Sequence, residues 1–123
     1  MRIRPERVGQ LMRREIAEIL AHRLRDPRLS HWVSVTDVEV TPDLSFARVY
    51  VSILPSGEER KEALRALAGA AAFVRRELAP RLNLREVPEI RFVFDRSLET
   101  GARVEELLRK LDKGEPIDEE EDS

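Results

Sequence analysis

The 123 residues contain no cysteine. Disulfides, thiolate catalysis and cysteine-ligated metal are thereby excluded. No apolar run comes near the roughly 20 residues that cross a bilayer. The opening MRIRPERVGQ is charged and has no apolar stretch behind it, so it does not read as a secretory signal. A cytoplasmic location without membrane contact is expected. Histidine is scarce: His22 and His31 are the pair, with Asp26 one helical turn from His22. A helix should end between them and no third strong ligand is evident, so no metal and no other cofactor is expected. G-x-S-x-G, Walker and dinucleotide fingerprints are also missing. The acids stand at helical spacing beside arginines and read as surface pairs, so no enzyme is expected. Lysine is nearly absent as well, with 3 against 19 arginines.

Charge is what the chain has in quantity. Charged residues make up 37% and apolar residues 41%, which suits one small domain with a single core and a dense charged surface. The net charge of −2 conceals an asymmetry. Residues 112–123, DKGEPIDEEEDS, hold seven acids and one lysine; residues 1–111 then carry 21 basic and 17 acidic groups. A run of like charges repels itself, so a folded body over 1–111 and a disordered acidic tail over 112–123 are expected. Residues 1–31 alone hold eight arginines against four acids, which hints at an anionic partner.

Along the chain, PERVGQLMRREIAEILAHRL carries Val8, Leu11, Met12, Ile16, Ile19 and Leu20 at helical spacing. Pro5 fits the first turn, and the helix should stop before Pro27. At about 100° per residue, Arg7, Arg14 and Arg25 form one ridge away from this stripe. WVSVTDVEVTPDLSFARVYVSIL reads as a β-hairpin with a loop of about four or five residues around Pro42–Asp43. Ala47, Val49, Val51 and Ile53 point one way. The first strand changes phase between Val35 and Val38, which predicts a bulge near Thr36–Asp37. Ser56-Gly57-Glu58-Glu59 matches a capping box. A helix follows, with Leu64, Leu67, Ala71, Val74 and Leu78 in one stripe and Pro80 to end it. IRFVFD is a third strand with Ile90, Phe92 and Phe94 inward. TGARVEELLRKL closes as a helix. A strand that follows a helical crossover pairs parallel to its neighbour. The expected fold is α+β, a three-stranded mixed sheet with helices on one face.

Gly69 interrupts an otherwise good helix, at a cost of about 1 kcal/mol relative to alanine. A kink or a two-helix junction within residues 68–72 is expected there, with close packing on the sheet as the other explanation. A junction would offer free N–H groups that favour phosphate, with Arg65, Arg75 and Arg76 nearby.

The order helix, strand, strand, helix, joint, helix, strand resembles a type II KH domain, an RNA-binding fold. GAAA at 69–72 stands where such domains carry a GXXG loop. Over residues 5–111 the chain resembles the bacterial ribosome-binding factor A family. The matching stretches are RVGQLMRREIAEIL, DPRL at 26–29, VSVTDVEVTPDLSFARVYVS, and VPEIRFVFDRSLETGARVEELL at 87–108. That family replaces the GXXG loop by a helix kink with an Ala-x-Gly pattern. Here Ala70, Ala71 and Ala72 occupy the place, and Gly69 stands just before. The resemblance implies a non-enzymatic assembly factor. It would bind the free small (30S) ribosomal subunit and assist late 16S rRNA maturation near the 5′-terminal helix and the decoding region, with a link to cold adaptation.

The expected rRNA-binding residues are Arg7, Arg14 and Arg25 on the ridge, Arg28, and then Arg65, Arg75, Arg76, Arg81 and Arg85. Affinity should come from arginine–phosphate contacts and shape, with little base readout. Phe46, Arg48 and Tyr50 share a strand face, but two aromatics are few for a base-stacking platform. Trp32 is expected as a core or edge plug. A monomer is expected in solution. A second reading is a protein-interaction adaptor that uses a sheet edge or the acidic tail without touching RNA.

Overall fold

In the computed structural model, residues 4–29 and 33–97 are described. The C-terminal helix and acidic tail expected from the sequence, and Trp32 and His31, lie outside the described residues.

Helix α1 spans Pro5–His22. Pro5 occupies the first turn, where its missing N–H costs nothing. The Arg4 carbonyl accepts the Arg7 and Val8 amides, each at 3.1 Å. The helix ends two residues past Leu20, the last member of its apolar stripe. The Arg23 and Leu24 amides both donate to the Ile19 carbonyl, at 2.8 and 3.1 Å. A 3-10 turn over Pro27–Leu29 then follows. Arg25 thus lies past α1, and the ridge expected from Arg7, Arg14 and Arg25 is not one helix face.

Strands β1 (Val33–Val40) and β2 (Phe46–Ile53) form the hairpin. Their antiparallel register shifts between Val35 and Asp37, so the bulge falls at Thr36. In the connecting loop, Asp43 Oδ1 accepts the Thr41 hydroxyl (2.8 Å), the Ser45 hydroxyl (2.7 Å) and the Ser45 amide (3.1 Å). These donors, the Ser45 hydroxyl foremost, hold the Asp43 carboxyl below its ordinary pKa. Leu44 beside it takes a left-handed φ of 61°.

Helix α2, Glu58–Leu78, is one α-helix of 21 residues. The two-helix junction expected at 68–72 does not occur, and no second set of free N–H groups is created. The apolar stripe needs no break: Leu67, Val74 and Leu78 are buried, Leu64 and Ala71 are half-buried, and Ala63 and Ala66 are buried with them. Nor does Gly69 serve close packing. It is exposed, and a Cβ added there meets nothing within 4 Å. The capping box at Ser56 is also absent. Gly57 is the N-cap, at φ 66°, and no side chain caps the helix. Glu58 and Glu59 favour this end through the helix dipole instead.

Strand β3, Glu89–Phe94, pairs parallel to β2, giving the order β1-β2-β3. Helix α1 lies against β1 and α2 against β3. One face of β2, formed by Ala47, Val49, Val51 and Ile53, is buried in a single cluster with Met12, Ile16, Ile19, Leu67, Val74 and Leu78. Helix α1 comes close to β1 at Gly9, where an added Cβ would lie 2.7 Å from the Val38 carbonyl oxygen.

Candidate nucleic-acid interface

Eight of the nine expected arginines fall into three environments. The first is internal pairing. Arg28 makes a fork on Asp26, with Nε to Oδ1 at 3.1 Å and Nη2 to Oδ2 at 2.8 Å, while its amide also binds Oδ1 at 2.9 Å. This contact lowers the Asp26 pKa and raises that of Arg28. Arg65 is paired with Glu62 one turn back. Arg81 Nη1 reaches Glu18 at 2.8 Å and Glu15 at 3.1 Å, both on α1. Those bonds, Glu15 foremost, raise its pKa. Together with Arg23 on Glu77 at 2.7 Å, it ties α1 to the end of α2. Arg28, Arg65 and Arg81 are therefore each paired with carboxylates of the protein itself, Arg28 and Arg65 on its exposed surface.

The second environment is a groove of about 800 Å³ beside the last turns of α2. Arg75, Arg76 and Arg85 line it together with Ala71 and Ala72. Ala71 and Ala72, two of the residues expected at the helix kink, line the groove with small side chains that add little bulk to its wall. Arg75 donates Nε (3.1 Å) and Nη2 (2.7 Å) to the Val87 carbonyl. That bond aims the guanidinium without neutralising it, and leaves three of its five N–H groups without a protein acceptor among the described residues. Pro88 is fully buried next to it, and the Glu89 amide bonds the Ser45 carbonyl at 2.9 Å as β3 begins. The Val87-Pro88-Glu89 stretch is thus a carbonyl clamp, a core plug and a strand start in three consecutive residues. Glu86 and Glu89 also line the groove, but none of the three arginines has a carboxylate within ion-pair distance among the described residues.

The third environment is the outer face of α1, where Arg7 and Arg14 line a shallow hollow with Arg4. Arg4 is left out of the sequence expectation because it precedes the helix; extending the helical wheel one residue before Pro5 places it about 60° from Arg7. Arg25 is exposed in the loop and joins neither group.

Asp95 and Ser97 stand two residues apart in the VPEIRFVFDRS stretch. Asp95 Oδ1 accepts the Ser97 hydroxyl at 2.6 Å and its amide at 2.9 Å. The Thr36 hydroxyl lies 2.5 Å from Asp95 Oδ2 and 3.3 Å from the Tyr50 carbonyl. Its one proton goes to the nearer, charged acceptor. The Ser97 hydroxyl first, then Thr36, hold the Asp95 carboxyl below its ordinary pKa. This motif pins the end of β3 to the bulge of β1, and its work is structural. On the open sheet face, Arg48 is paired with Glu39 at 3.1 Å and both aromatics are half-buried. Among the described residues no group of His, Asp and Glu is placed to hold a metal, and no helix is long and apolar enough to cross a membrane.

Comparison with known proteins gives a consistent picture. The family model of ribosome-binding factor A matches residues 4–108. Ribosome-binding factor A of Caldanaerobacter subterraneus is 42% identical over 96% of this chain and 97% of its own. That of Thermomicrobium roseum is 50% identical over 94% of this chain and 89% of its own. The crystal structure of the Thermus thermophilus factor superposes with a TM-score of 0.68 at 30% identity, over 76% of this chain and 97% of that one. A Thermus thermophilus homology model fitted into a cryo-EM map of a complex with 30S superposes at 0.59 and 32% identity, over 72% and 91%. With its fold matched by solved members and its sequence matched nearly end to end, this chain belongs to the ribosome-binding factor A family.

Proposed function

We propose that this protein is a non-enzymatic assembly factor that binds the free small ribosomal subunit through 16S rRNA. The observation that carries it is the convergence of Arg75, Arg76 and Arg85 on one groove, with no carboxylate at ion-pair distance from any of them among the described residues. A relative has been fitted into a 30S complex, and family membership supports the same partner here. Guanidinium forks match phosphate oxygens and keep their charge at any physiological pH. The groove therefore holds a sugar–phosphate backbone, and recognition comes from shape with little base readout. The step served is late 16S rRNA maturation near the 5′-terminal helix and decoding region, in the cytoplasm. The α+β unit acts as a KH-like module in which the alanine-lined wall of α2 replaces the GXXG loop, and residues 112–123 form a separate acidic appendage.

Co-sedimentation with purified free small subunits tests this. Binding is expected to weaken steeply as salt rises, and Arg75→Glu with Arg76→Glu to release the protein. Arg65→Gln, which removes an arginine already paired with Glu62, should change little. Salt-independent binding, or full retention by the double glutamate variant, overturns the reading.

A further inference from the structure

The outward arginines of α1 have no internal carboxylates to spend themselves on. On a helix, ionic partners stand three or four residues apart. Around Arg7 those positions are Ile3, Arg4, Gln10 and Leu11, with no acid among them. Around Arg14 they are Gln10, Leu11, Ala17 and Glu18, so Glu18 is the one local carboxylate. Glu18 is held instead by Arg81 at 2.8 Å, and Arg81 comes 63 residues later in the chain. Arg14 thus makes no ion pair among the described residues although it stands at i,i+4 spacing from an acid. Arg4, Arg7 and Arg14 are all exposed and line one hollow of about 680 Å³ with Glu6, Gln10 and Leu11. Leu11, 38% exposed, is one of two large hydrophobics left open among the described residues. The hollow shares no lining residue with the groove on α2.

We propose that this face of α1 is a second RNA foothold, which takes sugar–phosphate backbone on Arg4, Arg7 and Arg14 and an apolar ribose or base face on Leu11. Arg81 is its positioning residue: by holding Glu18 it keeps Arg14 available. This rests on the small-subunit reading above and adds a second, separable stretch of 16S rRNA to it. Three guanidiniums against the single Glu6 carboxylate make the patch complementary to a polyanion.

The test uses the full chain and purified free small subunits, with affinity measured across salt and 16S rRNA footprinted chemically. Arg7→Gln with Arg14→Gln is expected to weaken binding roughly tenfold at low salt and to lower the slope of log K against log salt by about two. One set of 16S protections should vanish while the set lost in Arg75→Gln with Arg76→Gln persists. Wild-type affinity and complete protections in the α1 double variant overturn the proposal. Failure of the unsubstituted protein to bind overturns the small-subunit reading as well, so the two failures are distinguishable. For Arg81, Arg81→Gln should weaken binding and the further change Glu18→Gln should restore it; absence of that rescue overturns the positioning role. Should Arg81→Gln not fold, Arg14→Gln alone, at an exposed site, must still weaken binding for the foothold to stand.

Discussion

Gly9 and Gly69 both sit in helices, and an added methyl group means opposite things at the two. At Gly69 the Cβ meets open space, so alanine removes the backbone-entropy penalty of glycine. Gly69→Ala is expected to raise stability by about 1 kcal/mol in urea denaturation. At Gly9 the Cβ would stand 2.7 Å from a backbone oxygen of β1, and neither partner is a flexible side-chain tip. Gly9→Ala is expected to lower the urea midpoint despite alanine's better helix propensity. Asp95 gives a third residue-scale prediction. Its folded pKa is depressed, so it adds stability that is present above the ordinary aspartate value of about 4 and is lost as pH falls through the folded value. Thermal midpoints measured from pH 7 to 2.5 should fall less steeply below about pH 4 in Asp95→Asn than in the wild type.

At the scale of elements, periodicity carried most of the information. The alternation of Ala47, Val49, Val51 and Ile53, the phase change at Thr36 and the parallel third strand were all legible, because each reports a local period or a connection rule. The Gly69 junction was misread because a glycine in a helix signals a cost without saying whether that cost is used. The cap at Ser56 was misread because Gly57 could enter the helix from a left-handed φ unavailable to most residues. The site was only half legible. Spacing reveals partners three or four residues away, as for Arg65 and Glu62, but nothing local tells that Arg81 belongs to Glu15 and Glu18, 66 and 63 residues distant. Sequence therefore pooled nine arginines that the fold sorts into paired and available ones. The core of α2 makes its own prediction. Leu67 is fully buried in the core cluster, whereas Leu54 is 71% exposed. Leu67→Ala is expected to cost roughly 2–5 kcal/mol, and Leu54→Ala to leave the urea midpoint nearly unchanged.

For the whole molecule, the balance of charge sets how the protein approaches its partner. The chain as a whole carries −2, yet without residues 112–123 it carries +4. Truncation after Leu111 is expected to tighten binding to small subunits at low salt. The difference should shrink above about 0.5 M salt, where exposed charges are screened within a few ångströms. Equal affinities at low salt would show that the acidic segment does not act through long-range repulsion. The parallel pairing of β2 with β3 has a consequence for synthesis. The strand that fills the second edge of β2 is separated from it by 35 residues, since β2 closes at Ile53 and β3 begins at Glu89. A nascent chain that has exposed α1, the hairpin and α2 still presents one naked row of β2 amides and carbonyls. Until Glu89–Phe94 clears the exit tunnel, that row is open to any extended neighbour on the same polysome.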